Sequence, residues 1–126
     1  MAATSKGRAV NCVTLPWPPK ELSPNSSAKL KDKMSAKRKY RDDCYVLALA
    51  SLAKTRKAYG GDIPITIEFR YPDAINRDLD NQLNRIKAGL DSVANAMRVD
   101  DSRFNPITIR RGPITKGGQV IVCIGT

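Results

Sequence analysis

Histidine is absent from this chain, and with it go the commonest transition-metal ligand, the usual general base and the histidine-dependent nucleophilic triads. Cysteine is scarce. Cys12, Cys44 and Cys123 are odd in number, widely spaced and never arranged as Cys-x-x-Cys, which removes zinc sites of the usual kind. Set among apolar residues, all three are expected to be reduced core thiols. Aromatic residues make up only 6% of the chain, and no apolar run approaches the ~18 to 20 residues that a membrane-spanning helix needs. Acidic residues are also in the minority, 12 against 22 Lys and Arg, for a formal net charge of +10. Such a charge suits approach to a polyanion, and any chemistry has to rest on carboxylates, lysines and metal.

At 126 residues the chain has room for one core and no separate substrate domain. Met1 to Ala9 has charge but no apolar h-region or small-residue cleavage site, so residues 1–9 are expected to be a disordered tail, residues 10–126 a single domain, and the protein cytoplasmic. Val13, Leu15 and Trp17 alternate with Thr14 and Pro16, which predicts a first strand over Val10 to Trp17, at a sheet edge and ended by Pro18-Pro19. Lys20 to Lys33 is rich in Ser, Pro, Asn and Lys and predicts a mobile basic loop.

Tyr40, Cys44, Leu47 and Ala48 or Ser51 recur at helical spacing, so a helix is expected over Ser35 to Ala58, stopped at Gly60-Gly61. Its basic run, Lys37, Arg38, Lys39 and Arg41, is either a solvated face or a phosphate-contacting one. Ile63, Ile65, Ile67 and Phe69 alternate with polar or small residues and predict a half-buried strand. Leu83, Ile86, Leu90, Val93 and Met97 form an apolar stripe that predicts a second helix from Asp80 to Met97. At roughly 100° per residue, Asp80, Asn84, Lys87, Asp91 and Arg98 share a strip along its edge. Pro106 to Arg111 and Gln119 to Ile124 read as two further strands.

The acidic residues sit in a telling pattern. In Arg77-Asp78-Leu79-Asp80-Asn81 the two aspartates are two apart, so both point the same way on an extended segment. They suit joint ligation of a hard divalent cation; the alternative is that one of them caps the second helix. Asp100-Asp101 is either a solvated turn or, returned toward Asp78 by the exit loop, the source of a third converging carboxylate. Lys87 and Asp91 could form an exposed helix ion pair, while Lys87 is also placed to stabilise charge on a phosphate. A Mg²⁺ ion shared between carboxylates and phosphate oxygens reconciles an acidic cluster with a basic chain.

Four segments in order, Thr14-Leu15-Pro16-Trp17-Pro18-Pro19, Arg77-Asp78-Leu79-Asp80-Asn81, Asp100-Asp101 and Ile114-Thr115-Lys116-Gly117-Gly118, resemble the RusA family of Holliday-junction resolvases across most of the chain. The resemblance implies an α+β fold, a small mixed β-sheet packed against two main helices. It also implies a homodimer, Mg²⁺ as cofactor with Mn²⁺ as substitute, no small-molecule organic cofactor, and cleavage of four-way DNA junctions to 5′-phosphate and 3′-hydroxyl ends. The family's three catalytic aspartates fall on Asp78, Asp80 and Asp101 as metal ligands. Its lysine usually stands four residues after the second aspartate, where this chain has Asn84. Lys87 fits that role if about three residues are inserted, its spacing to Asp91 matching the family pattern. Arg77, Arg110, Arg111 and Lys116 are the expected contacts to the DNA backbone. The rival readings are a non-catalytic basic nucleic-acid-binding protein and a nuclease of the same fold acting on other branched DNA. A glycosyltransferase using Asp-x-Asp is disfavoured by the short chain and the lack of a phosphate-cradling glycine loop.

Overall fold

The alternation in Ile63-Pro-Ile-Thr-Ile-Glu-Phe-Arg70 sets the architecture. In the computed structural model, which describes residues 11–52, 60–75 and 77–125, this segment is strand β2 (Ile63–Arg70) with every second side chain buried. A strand with one apolar face needs neighbours in register on both sides. β2 has β4 (Gln119–Ile124) antiparallel on one side and β3 (Phe104–Arg111) parallel on the other. Outermost beside β4 lies β1 (Asn11–Pro16), antiparallel, so the four-stranded mixed sheet has the order β1-β4-β2-β3. β1 is at an edge as expected, a place that tolerates Pro16.

Helices cover one face of the sheet. In α1 (Leu30–Leu52) the buried residues Tyr40, Cys44, Ala48 and Leu52 recur every fourth position and form one stripe. The parallel pairing of β2 with β3 requires a crossover, supplied by α2 (Leu79–Arg85) and α3 (Lys87–Met97). α1 and α3 meet at Gly89, where an added Cβ would lie 2.9 Å from the Tyr40 ring and 3.1 Å from Cys44 Sγ. Val13, Leu15, Ile65, Ile67, Phe69, Val120, Val122 and Val93 complete one continuous core. The arrangement is the α+β fold with a small mixed sheet that the resemblance implied.

Several expectations shift. The single helix expected over Asp80 to Met97 is two, divided at Ile86 (φ −96, ψ 7). Backbone bonds still run from Ile86 N to Gln82 O and from Leu90 N to Ile86 O, so the hydrogen-bond ladder bends without opening. At that bend Arg85 reaches out to Pro18 O while Ile86 is fully buried, so adjacent side chains anchor to different partners. The expected mobile loop is ordered: Lys20–Leu22 forms a 3-10 turn, Ser23 and Ser26 accept backbone N–H groups two residues on, and α1 has already begun at Leu30. The expected helix end at Ala58 and the tail of residues 1–9 lie outside the described residues. β3 starts at Phe104, two residues before Pro106, because the register slips between Ile63 and Ile65 around the cis Asn105-Pro106 bond. A bulge on an edge strand accommodates a residue with no N–H to donate.

The cysteines require a correction. Cys12 and Cys123 are not reduced core thiols: they stand directly opposite in the β1–β4 register and form a disulfide. The pleat explains it, since Cys12 precedes buried Val13 and Cys123 follows buried Val122, so both point away from the helices. Only Cys44 is a free, buried thiol, its pKa pushed up to about 12 chiefly by burial.

Candidate active site and nucleic-acid interface

Beyond the end of β2 the chain turns through a loop pinned by Asp73. Its carboxylate accepts the Ile75 N–H at 3.0 Å and grips Arg77 with both oxygens, at 2.7 and 3.1 Å. Asp78 follows in an extended conformation (φ −74, ψ 134) at the N-cap of α2, but its side chain makes no capping bond. Asp80, in the first turn, accepts the N–H of adjacent Asn81 at 3.0 Å. Both aspartates are exposed. The capping alternative is thus not the use made of Asp78, and both carboxylates retain free oxygens. A Mg²⁺ site needs no more than one or two carboxylates together with phosphate and water oxygens, so this pair fits.

Behind it lies a cluster that the sequence did not single out. Tyr71, the first residue after β2, is buried. Its ring lies 5.2 Å from that of Trp17, and the guanidinium carbons of Arg77 and Arg111 stand 5.6 and 5.9 Å from its centre, within cation–π range. Arg111 also donates from Nη2 to Arg77 O. Thr115 N bonds to Tyr71 O at 2.9 Å, and a Cβ on Gly118 (φ +73) would meet the Trp17 ring at 2.7 Å. Only glycine suits that backbone conformation and that approach. The Trp17, Arg77-Asp78 and Thr115-to-Gly118 segments therefore converge on one aromatic pair. Arg85 joins from α2, 5.9 Å from the Trp17 ring centre, with Nη2 bonded to Pro18 O at 2.6 Å. Burial and the charge of Arg77 lower its pKa.

Asp101 lies elsewhere. Arg98, in the left-handed region (φ 58), ends α3, and Asp100 accepts the Ser102 N–H to start the 3-10 turn Asp101–Arg103. The Asp101 carboxyl meets that of Asp91 on α3, and this contact, helped by Asp100, raises its pKa. Two carboxyls in contact favour a cation between them. Lys87 does not supply it, since among the described residues it makes no ion pair with Asp91. A cavity of about 520 Å³ opens there, lined by Arg41, Asp91, Asp100 and Asp101. An adjoining cleft of about 220 Å³ is lined by Asn84, Lys87, Asp91, Asp101 and Ile107. Both residues considered for the family lysine thus border Asp101.

The two acidic groups stay apart within one chain. Eleven positions separate Asp80 from Asp91, about 16 Å of helical rise, and among the described residues no three acidic, cysteine or histidine side chains gather to hold a metal. Of the expected DNA contacts, Arg77 and Arg111 gather at the Asp78 end, with Lys116 exposed in the loop held to Tyr71 through Thr115. Arg110 is set apart, bonded to Glu68 at 3.0 Å. Glu68 also holds Arg70 at 2.6 Å, and the arginines lower its pKa. Among the described residues, no helix is long and apolar enough to cross a membrane.

No family model matches the chain. Individual proteins do. An uncharacterised protein of Xylella fastidiosa is 30% identical over 118 residues, 93% of this chain and 77% of its own length. The crossover junction endodeoxyribonucleases RusA of Enterobacteria phage 82 and of Escherichia coli K12 are each 31% identical over 114 residues, 89% of this chain and 91% of theirs. With the four segments in order on a single α+β domain, this chain belongs to the RusA family of crossover junction endodeoxyribonucleases.

Proposed function

We propose that the protein is a Mg²⁺-dependent endodeoxyribonuclease that resolves four-way DNA junctions as a homodimer. The observation that carries this reading is the Asp78–Asp80 pair, exposed and uncapped beside an arginine cluster, in a chain whose relatives are named for junction cleavage. Asp78 and Asp80 would hold the metal, with Asp101 completing the ligand set. Mg²⁺ held there, or Mn²⁺ in its place, supplies Lewis-acid polarisation of the phosphate and an attacking water of lowered pKa. Lys87, bordering Asp101, stabilises the charge that develops on the phosphate. Arg77, Arg111 and Lys116 orient the DNA backbone without reading sequence, and Arg110 contributes through the exposed side of its ion pair.

The separation of Asp80 from Asp101 gives the dimer a chemical purpose. β3 is an open edge with Ile107 43% exposed. Pairing two such edges about a two-fold axis sets the Asp78 end of one chain against the Asp101 end of the other, and builds two identical sites for two matched cuts. Work on chromosomal or phage DNA places the protein in the cytoplasm, a compartment that would open the Cys12–Cys123 bond.

Asp80→Asn tests the reading, because it removes a ligand and a negative charge together. Cleavage of a synthetic junction is expected to fall by at least a hundredfold, with junction binding in EDTA unchanged or tighter. Retained cleavage, or lost binding in a folded protein, contradicts the assignment.

A further inference from the structure

Among the described residues the Tyr71 hydroxyl is enclosed and makes no hydrogen bond of normal geometry, although the Arg111 guanidinium approaches it, and Arg85 Nε is likewise enclosed and unpaired. A buried hydroxyl left unpaired is destabilising, so its persistence beside charged groups calls for a ligand. The surroundings say which kind. Arg77 and Arg111 flank the Tyr71 ring. Arg85, beside Trp17, bonds to Gln82 and to the Pro18 carbonyl and has no carboxylate partner among the described residues. Asp73 neutralises Arg77 alone. The negative charge of Asp78 is also felt at the hydroxyl. A cavity of about 300 Å³, lined by Tyr71, Asp73, Ile75, Arg111 and Gly112, opens at this point, ample for a phosphate group.

We propose that Tyr71, Arg77 and Arg111 form a pocket for one DNA backbone phosphate adjoining the Asp78–Asp80 pair. Its substrate rests on the nuclease reading. Arg111, and Arg77 through any donor not held by Asp73, supply charge-assisted hydrogen bonds, and the Tyr71 hydroxyl donates to a third phosphate oxygen. Arg85 adds uncompensated positive charge from behind. The pocket fixes the distance of the bound backbone from the metal ligands, so Tyr71 is a positioning residue. Packing against Trp17 and the two guanidinium groups holds its ring.

The molecule contains one tryptophan, and Trp17 packs against Tyr71, so its fluorescence reports changes around Tyr71, and the Tyr71→Phe and Arg111→Gln variants assign a response to this pocket. The experiment titrates inorganic phosphate into the wild-type protein, Tyr71→Phe and Arg111→Gln in EDTA at constant ionic strength. A saturable change of Trp17 emission is expected in the wild type and not with chloride. Tyr71→Phe should weaken it about tenfold, as for a hydrogen bond to a charged group, with the thermal midpoint unchanged or raised because an unpaired buried hydroxyl is gone. Arg111→Gln should weaken it at least as much, and a four-way junction should displace the phosphate. No saturable response in the wild type, equal affinity in Tyr71→Phe, or a lowered midpoint with phosphate binding intact each overturns the proposal. Because the metal is chelated, a negative result counts against the pocket and leaves the nuclease reading to be judged by cleavage.

Discussion

Lys87 and Asn84 border the same cleft as Asp101, so their roles are separable only by substitution. The account assigns charge stabilisation to Lys87, which makes no ion pair among the described residues. Lys87→Ala should slow junction cleavage by two to three orders of magnitude, in line with the loss of one electrostatic donor, roughly 2.7 to 4 kcal/mol. Asn84→Ala should change the rate by less than about threefold. Equal effects, measured as single-turnover rates, would leave the insertion between Asp80 and the lysine without support. At this scale the Asp78–Asp80 pattern was readable because its meaning is local: two residues on an extended segment share a direction. Tyr71 was not readable, since what makes it notable is the approach of Trp17, Arg77 and Arg111 from separate parts of the chain. Asp91 was read as a partner for Lys87 at helical spacing, whereas folding turns it to Asp101.

Strands and helices were legible where one apolar period runs uninterrupted. The alternation in β2 and the boundaries of β4 follow directly from the sequence. The division of the second helix at Ile86 does not, because the apolar stripe continues through the bend and only the anchoring of Arg85 on Pro18 O reveals it. The pairing of Cys12 with Cys123 is hidden in the same way: the partners are 111 residues apart, and only the β1–β4 register brings them face to face. Thiol titration of the denatured, unreduced protein should therefore count one free thiol, that of Cys44, and three after reduction. Closing so long a loop limits the unfolded chain, by about 4 to 5 kcal/mol in the chain-entropy treatment. Reduction, or Cys12→Ser, should accordingly lower the thermal midpoint without removing the sheet, which retains its backbone pairing. Three thiols remaining after mild oxidation of the folded protein would contradict the register.

For the whole molecule, the arrangement of charge and symmetry decides function. A net charge of +10 draws the chain to DNA, and the arginines gathered around Tyr71 concentrate that charge beside the exposed aspartates. In the proposed homodimer, the separation of Asp80 from Asp101 makes the active unit a pair of chains. Asp80→Asn and Asp101→Asn should each be inactive alone, yet mixing them should restore nicking, because one of the two shared sites in the mixed dimer has all its ligands. No recovery after refolding the two together would confine each site to a single chain. The composition and order of the four segments made the class of chemistry legible, but not this division of ligands, since no sequence pattern shows which surfaces meet.

The account rests on metal-dependent cutting of branched DNA. The direct measurement incubates the purified protein with a four-way junction and a matched linear duplex, each in Mg²⁺ and in EDTA, and resolves the products on denaturing gels. Paired, symmetrical nicks in the junction alone, and in Mg²⁺ alone, are the predicted result. Tight junction binding without a cut in Mg²⁺ or Mn²⁺ would contradict it and leave a basic nucleic-acid-binding protein in its place.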